Sequence, residues 1–282
     1  MKTIKIAGVP EHFNLPWHLC IEDGEFNAVG IDIQWTDVPE GTGKMCQMLR
    51  TGETDIAVLL TEGIIKDITE GNSAKIVQIY VQSPLIWGIH VAMKAPYQNL
   101  SDLENKKVAI SRMGSGSHLM SLVNATNQQW NTEDLQFEIV NTIEGAVDSL
   151  TNGIADYFMW ERFMTQPLVD QKIFRRIAEC PTPWPCFVIA VRNELLESDP
   201  NIVQQILETI NTTTREFKEI PSIDRTLAVK YNLEHAAVQE WLSVTRWSQK
   251  QMTKEALDKL LKALYEMQLV SRILPLEAYL SK

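Results

Sequence analysis

No stretch of about 20 consecutive apolar residues occurs in this sequence, so no segment is expected to cross a bilayer as a helix. Cysteine is scarce, with four residues at 20, 46, 180 and 186. Their spacing fits neither a zinc ligand set nor a Cys-x-x-Cys redox pair, and they read as reduced, mostly buried thiols. A bridge between Cys180 and Cys186, across the turn that carries Pro181, Pro183 and Pro185, stays open at this point. The five histidines form no His-x-x-x-His or His-Glu-x-x-His pattern, so no metal site is expected. Positive charge is also short: 26 Lys and Arg against 36 Asp and Glu give a net charge of −10, with no basic block anywhere. A phosphate backbone would be repelled, which argues against nucleic acid as a partner. No basic, apolar leader precedes the first strand pattern at Ile4–Pro10. The chain as written is expected in the cytoplasm, and in the periplasm if a leader was removed.

What is present is a chain of 282 residues, 45% hydrophobic and 22% charged, enough for two lobes with their own cores. Short runs rich in Ile and Val predict strands at 3–9, 31–36, 55–60, 75–81, 86–93, 107–111, 136–140, 155–160, 174–178 and 186–191. Helical stretches separate them, which argues for α/β architecture with mostly parallel sheets. After about residue 194 the pattern turns helical, over 200–219, 222–231, 235–246 and 253–268.

An internal likeness points to two related halves. Residues 43–57 and 145–158 each read as a short helix closed by a glycine three residues after a leucine, Leu49 to Gly52 and Leu150 to Gly153. Each then places an aspartate three residues further on, Asp55 and Asp156, at the mouth of an apolar strand. Each strand finishes near an acidic residue, at Thr61-Glu62 and at Trp160-Glu161.

Open parallel sheets bind ligands beyond the carboxyl ends of their strands. The candidate residues are therefore those just past each strand. Ser111–His118 follows the strand Val108-Ala109-Ile110 and opens a helix. Its glycines let the backbone approach a ligand, and helix-start amides favour an anion or another acceptor. Arg112, Ser115, Gly116, Ser117 and His118 are candidates here, and a plain capped turn is the alternative. No Gly-Lys-Ser/Thr follows and no Gly-x-Gly-x-x-Gly exists, so this is not a nucleotide loop. Gly41, Thr42 and Gly43 form a smaller version, whose plain alternative is a turn with Thr as the helix cap. Thr61, Glu62 and Glu161 stand at strand exits, where a carboxylate can accept from an amine or amino-heterocycle. His12 and Phe13 follow the first strand, and Trp87 and Trp160 could stack on a planar ligand. For each Trp the alternative is core packing. His90, inside an apolar strand, reads as a core histidine, and Trp241 and Trp247 as core of the C-terminal helices.

Several of these motifs together resemble the type II periplasmic binding proteins, in the group of the taurine/alkanesulfonate binders and the thiamine-pyrimidine (NMT1-like) proteins. The resemblance is carried by Gly8-Val9-Pro10-Glu11-His12-Phe13, Gly41-Thr42-Gly43, Gly52–Ala57, Leu60-Thr61-Glu62-Gly63, Ile89–Ala92 and Leu103–Ser111. It continues through Gly114–His118, Phe158–Glu161 and Trp184-Pro185-Cys186. It spans essentially the whole chain and is similar to a signal-less subgroup known from bacteria and pathogenic yeasts. It implies a two-lobed clamshell, with residues 1–92 and 186–282 in one lobe, 93–185 in the other, and a ligand cleft that closes by hinge motion. The chain departs from the fungal pyrimidine synthases of this fold in having no Cys-rich cluster, and it shows no distinctive lysine for pyridoxal phosphate. No cofactor is expected.

The leading expectation is a binding protein for a small anionic or heteroaromatic molecule, a sulfonate, a carboxylate or a thiamine-pyrimidine-like compound, of the ABC-transporter solute-binding type. Its partners would be the small molecule and a membrane transporter or downstream protein. The alternatives are a cytoplasmic enzyme on the same fold, making a cofactor or quinone precursor with His12, His118 and Glu161 as acid–base groups, or a ligand sensor.

Overall fold

The computed structural model describes residues 1–281, which divide into two compact units: Met1–Ser83 with the chain from Trp184 onward, and Pro84–Pro183. In chain order the first unit contributes β1 (Lys2–Gly8), α1 (Leu15–Glu22), α2 (Glu25–Ala28), β2 (Ile31–Asp37), α3 (Thr42–Thr51), β3 (Ile56–Leu60), α4 (Thr61–Thr69) and β4 (Ala74–Val81). The second holds β5 (Ile86–Ala92), β6 (Lys107–Ile110), α5 (Gly116–Asn127), β7 (Gln136–Ile139), α6 (Ile143–Thr151), β8 (Tyr157–Glu161), α7 (Gln166–Asp170) and β9 (Phe174–Pro181). The chain then returns to the first unit with β10 (Phe187–Arg192), α8 (Asn193–Ser198), α9 (Pro200–Glu216), α10 (Ile223–Tyr231), α11 (His235–Val244) and α12 (Lys254–Glu266). Each run of Ile and Val read as a strand forms one, and the central strands are apolar enough to be buried on both sheet faces, whereas the edge strand β7 leaves Gln136 and Ile139 exposed. In β3, Ile56, Ala57, Val58 and Leu59 are all buried.

The two sheets share one plan. The first has strand order β2-β1-β3-β10-β4 and the second β7-β6-β8-β5-β9. In the first, β1 is parallel to β2 and β3, and β10 runs antiparallel to β3 and β4. In the second, β6 is parallel to β7 and β8, and β5 runs antiparallel to β8 and β9. The reversed strand in each sheet is the first one after the chain passes from one unit to the other. It starts at the carboxyl-end edge of its sheet and must run back against its neighbours.

The sequence reading placed residue boundaries at 92/93 and 185/186, whereas the contacts divide at 83/84 and 183/184. Hydrogen bonding decides the difference, since Trp87–His90 pair with β8 and Ile86–Ala92 with β9. The helical tail folds as its periodicity requires. In α12, Leu257, Leu260, Leu261 and Leu264 fall on one buried face, and Thr253 caps the start by accepting from the amide of Ala256 at 3.1 Å. Burying each such leucine contributes roughly 2 kcal/mol. In α9, Pro200 sits in the first turn and Asp199 accepts from the amide of Ile202 at 3.3 Å.

The repeated half-unit is present in both sheets. Gly52 closes α3 in the left-handed conformation at φ 74°. In the second copy Asn152 ends α6 and Gly153 takes the left-handed step one residue later, at φ 70°. The acidic residues are not equivalent: Glu161 is the last residue of β8, whereas Glu62 lies in the first turn of α4, beyond the end of β3. The four thiols are free and buried.

Candidate functional site

At the carboxyl-end edge of the first sheet, β3 ends beside the start of the reversed strand β10. Phe187 lies opposite Leu60 on one side and Val81 on the other. This brings Thr61, Glu62 and the Trp184–Cys186 connection together. Thr61 donates its hydroxyl to the carbonyl of Pro185 at 2.6 Å, and its amide to the carbonyl of Cys186 at 3.1 Å. Trp184 Nε1 donates to Glu62 Oε2 at 2.7 Å. Glu62 is 1% exposed, and its second oxygen, Oε1, is buried with no hydrogen-bond partner. Burial holds this carboxyl up at about 7, against the opposing pull of its own backbone amide and the Trp184 indole. Near neutral pH it is therefore divided between its acid and its carboxylate.

The Gly41–Gly43 turn packs onto the same edge. Gly41, at φ 78°, is the residue that precedes the helix, and Thr42 is not the cap. Thr42 Oγ1 instead accepts from the amide of Leu60 at 3.2 Å, tying α3 to the end of β3. The approach is close enough that a Cβ on Gly63 would meet Thr42 Cγ2 at 2.4 Å. Gly43 is exposed.

His12 and Phe13 follow β1 in a single turn of 3-10 helix, His12–Asn14. Phe13 packs on Phe187 with ring centroids 5.0 Å apart, and its carbonyl accepts from Tyr80 OH at 2.9 Å and Trp247 Nε1 at 3.3 Å. His12 is 1% exposed and lies against Phe13 (4.8 Å), Trp241 (4.2 Å) and Tyr231 (5.9 Å). Both ring nitrogens are buried without a partner, and burial lowers its pKa to about 3, so the ring is neutral. Glu11, beside it, is pushed up to about 7 by the same burial. Trp241, which reads from sequence as core of the C-terminal helices, and Tyr231 are thus the walls around His12. A core reading of Trp241 does not say what it packs against.

In the second unit the loop after β6 is built largely for itself. Ser115 caps α5, accepting from the amide of His118 at 3.4 Å. Ser117, 1% exposed, accepts from the amide of Ser111 at 2.9 Å and lies 3.1 Å from the Ser115 hydroxyl. His118 Nδ1 accepts from the amide of Gly114 at 3.0 Å, and its ring stands edge-on to Phe137 at 4.8 Å. The serine hydroxyls proposed from sequence as ligand contacts are therefore engaged in shaping the turn. Gly116 is the first residue of α5, and the Arg112 guanidinium is exposed with no ion pair among the described residues.

Along the neighbouring strands, Trp87 pairs in register with Glu161. Trp87 is buried with its indole nitrogen unpartnered, and it meets Trp160 edge-on at 6.3 Å. Trp160 stacks on Phe158 at 5.3 Å and is half-buried. Glu161 is buried, and its Oε2 accepts from the amide of Met164 at 2.7 Å. His90 is fully buried with Nε2 3.0 Å from Thr165 Oγ1, the partner expected of a core histidine. Burial raises the thiols of Cys20, Cys46 and Cys180, which disfavours the thiolate that a nucleophile requires. No group of three or more His, Cys, Asp or Glu side chains among the described residues could hold a metal ion.

Comparison with known proteins gives three findings. Residues 87–180, about a third of the chain, match the family model described as Ca3427-like PBP. The CA3427 gene product of Candida albicans, described as exhibiting the generic periplasmic binding protein fold, superposes with a TM-score of 0.91 at 24% identity, covering 100% of this chain and 97% of that one. The alkanesulfonate-binding protein SsuA of Xanthomonas axonopodis pv. citri, solved with MOPS, gives 0.82 at 17% identity, covering 99% of this chain and 98% of its own. The aliphatic sulphonate binding protein SsuA of Escherichia coli gives 0.76 at 18% identity, covering 100% and 92%. Among curated proteins no sequence matches.

Proposed function

For a chain that carries the Ca3427-like type II periplasmic-binding-protein fold, related to that of the SsuA alkanesulfonate-binding proteins, we propose a solute-binding role: it takes a small organic molecule and releases it unchanged. The observation that carries this reading is Glu62. A carboxyl at a sheet's carboxyl-end edge, buried, held by Trp184 through one oxygen and unpaired at the other, is costly unless something completes it. A bound molecule would do so. Arg112, exposed and without an ion pair among the described residues at the second sheet's edge, suits an anionic group. Trp160, half-buried beside the Glu161 strand end, suits a planar ring.

Within that role the compounds to try are sulfonates, carboxylates and thiamine-pyrimidine-like heteroaromatics. The likeness to an SsuA solved with MOPS supports starting with sulfonates. A membrane transporter or a downstream protein would receive the ligand. The enzyme reading has less support, because His12, the best-placed base, is walled in by aromatic rings.

The test is native mass spectrometry of freshly purified protein, then thermal-shift screening of those three classes. A ligand at a hundredfold excess over its Kd stabilises by about 2.7 kcal/mol. A clear shift with a compound recovered unchanged supports the role. Recovery of a chemically altered compound turns the reading to an enzyme.

A further inference from the structure

We infer that Glu62 recognises a ligand nitrogen that bears N–H, either a protonated amine or the amino group of an amino-heteroarene. This rests on the solute-binding role and narrows its ligand class. Glu62 Oε2 is occupied by the Trp184 indole at 2.7 Å, leaving Oε1 as the atom to be satisfied. The neighbouring hydroxyls are engaged elsewhere: Thr61 donates to the Pro185 carbonyl, and Thr42 Oγ1 accepts from the Leu60 amide. No Lys, Arg or His pairs with Glu62 among the described residues. An ionised carboxylate oxygen only accepts hydrogen bonds, so its complement is a donor. A sulfonate or carboxylate brought to the same atom would add like charge in a desolvated place and be repelled. An N–H, above all a cationic one, satisfies the lone pairs and offsets the buried charge.

Trp184 sits between Pro183 and Pro185 on the connection from β9 to β10, where the chain passes between the two units. Its indole fixes the direction in which the free oxygen points. The carboxyl is therefore oriented before any ligand arrives, which lowers the cost of ordering on binding.

The experiment is isothermal titration of the full chain at about pH 8 with two matched pairs. One pair is 2-aminoethanesulfonate against ethanesulfonate; the other is 4-amino-2-methylpyrimidine against 2,4-dimethylpyrimidine. The expected result is an amino member that binds at least about tenfold tighter than its partner in one pair. E62Q, which keeps the shape and loses the charge, narrows that preference for the amine. E62M removes it in either pair. Preference in the first pair identifies a protonated amine, and in the second an amino-heteroarene. Binding without preference, or a preference that survives E62M in a folded variant, overturns the assignment and leaves the solute-binding role standing. No binding to any of the four, together with no response in the wider thermal-shift panel, overturns both.

Discussion

Asp55 grips Lys5 at two points: its amide donates to the Lys5 carbonyl at 3.0 Å, and its Oδ2 accepts from the Lys5 amide at 2.9 Å. Asp156 does the same to Lys107, at 2.8 Å in both directions. Each aspartate stands just before a parallel strand and fastens it to its neighbour, β3 to the middle of β1 and β8 to the first residue of β6. Loss of either side chain leaves a strand amide without its partner. D55A and D156A are each expected to lower stability by about 1–3 kcal/mol in urea denaturation. They share no partner, so the double variant is expected to show the sum. A cost confined to one of them would break the equivalence of the two half-units.

Stability is expected to fall on both sides of weakly acidic pH. His12 and His90 are held at about 3, against 6.5 in an ordinary setting. Below pH 6.5 the unfolded chain takes up protons that the folded rings refuse, so their contribution drains away as pH drops toward 3. Glu11 and Glu62 are held up at about 7 against 4.5. Their contribution is complete below pH 4.5 and is lost as pH rises through 7. Relative to the unaltered protein, E62Q is expected to gain roughly 3 kcal/mol between pH 4 and pH 8, following the free energy of such a shift. Between pH 4.5 and 6.5 the two effects oppose each other and largely cancel, so urea midpoints measured from pH 3 to 8 give the two limbs outside that range; an E62Q-minus-unaltered difference that does not grow between pH 4.5 and 7 would contradict this.

The Trp184 indole stabilises the ionised form of Glu62. W184F keeps an aromatic ring, smaller than the indole, and removes the donor, so the Glu62 carboxyl should titrate at a higher pH still. A 13C-carboxyl titration of glutamate-labelled protein reads this directly, and an unmoved resonance would show that the hydrogen bond has no influence in solution.

Two groups in the second unit should separate shape from contact. S117A strands the Ser111 amide and is expected to cost about 1–2 kcal/mol, with faster hydrogen exchange over residues 111–118. R112A touches an exposed side chain and should leave the melting temperature where it is. If Arg112 meets an anionic group, that variant lowers affinity for the anion about tenfold. The reverse pattern, with R112A destabilising and S117A silent, would invert the roles assigned here.

The ten strands and the C-terminal helices follow from local pattern alone: β3 is apolar enough to be buried on both faces, and α12 repeats leucine at helical spacing. The repeated Leu, Gly and Asp also announced two related halves, because the left-handed step and the strand-gripping carboxylate are each local demands on residue type. Chain order likewise marked the strand exits as places to look. What sequence could not supply is pairing across long separations. Glu62 and Trp184 are 122 positions apart, and their bond exists only because the reversed strand β10 inserts beside β3. The wall of Tyr231 and Trp241 around His12 arises in the same way, by tertiary packing. Ser115 and Ser117 read from sequence either as ligand contacts or as a plain helix cap, because a hydroxyl's partner is invisible in one dimension. Only the folded loop decides that those hydroxyls are directed at the loop's own amides.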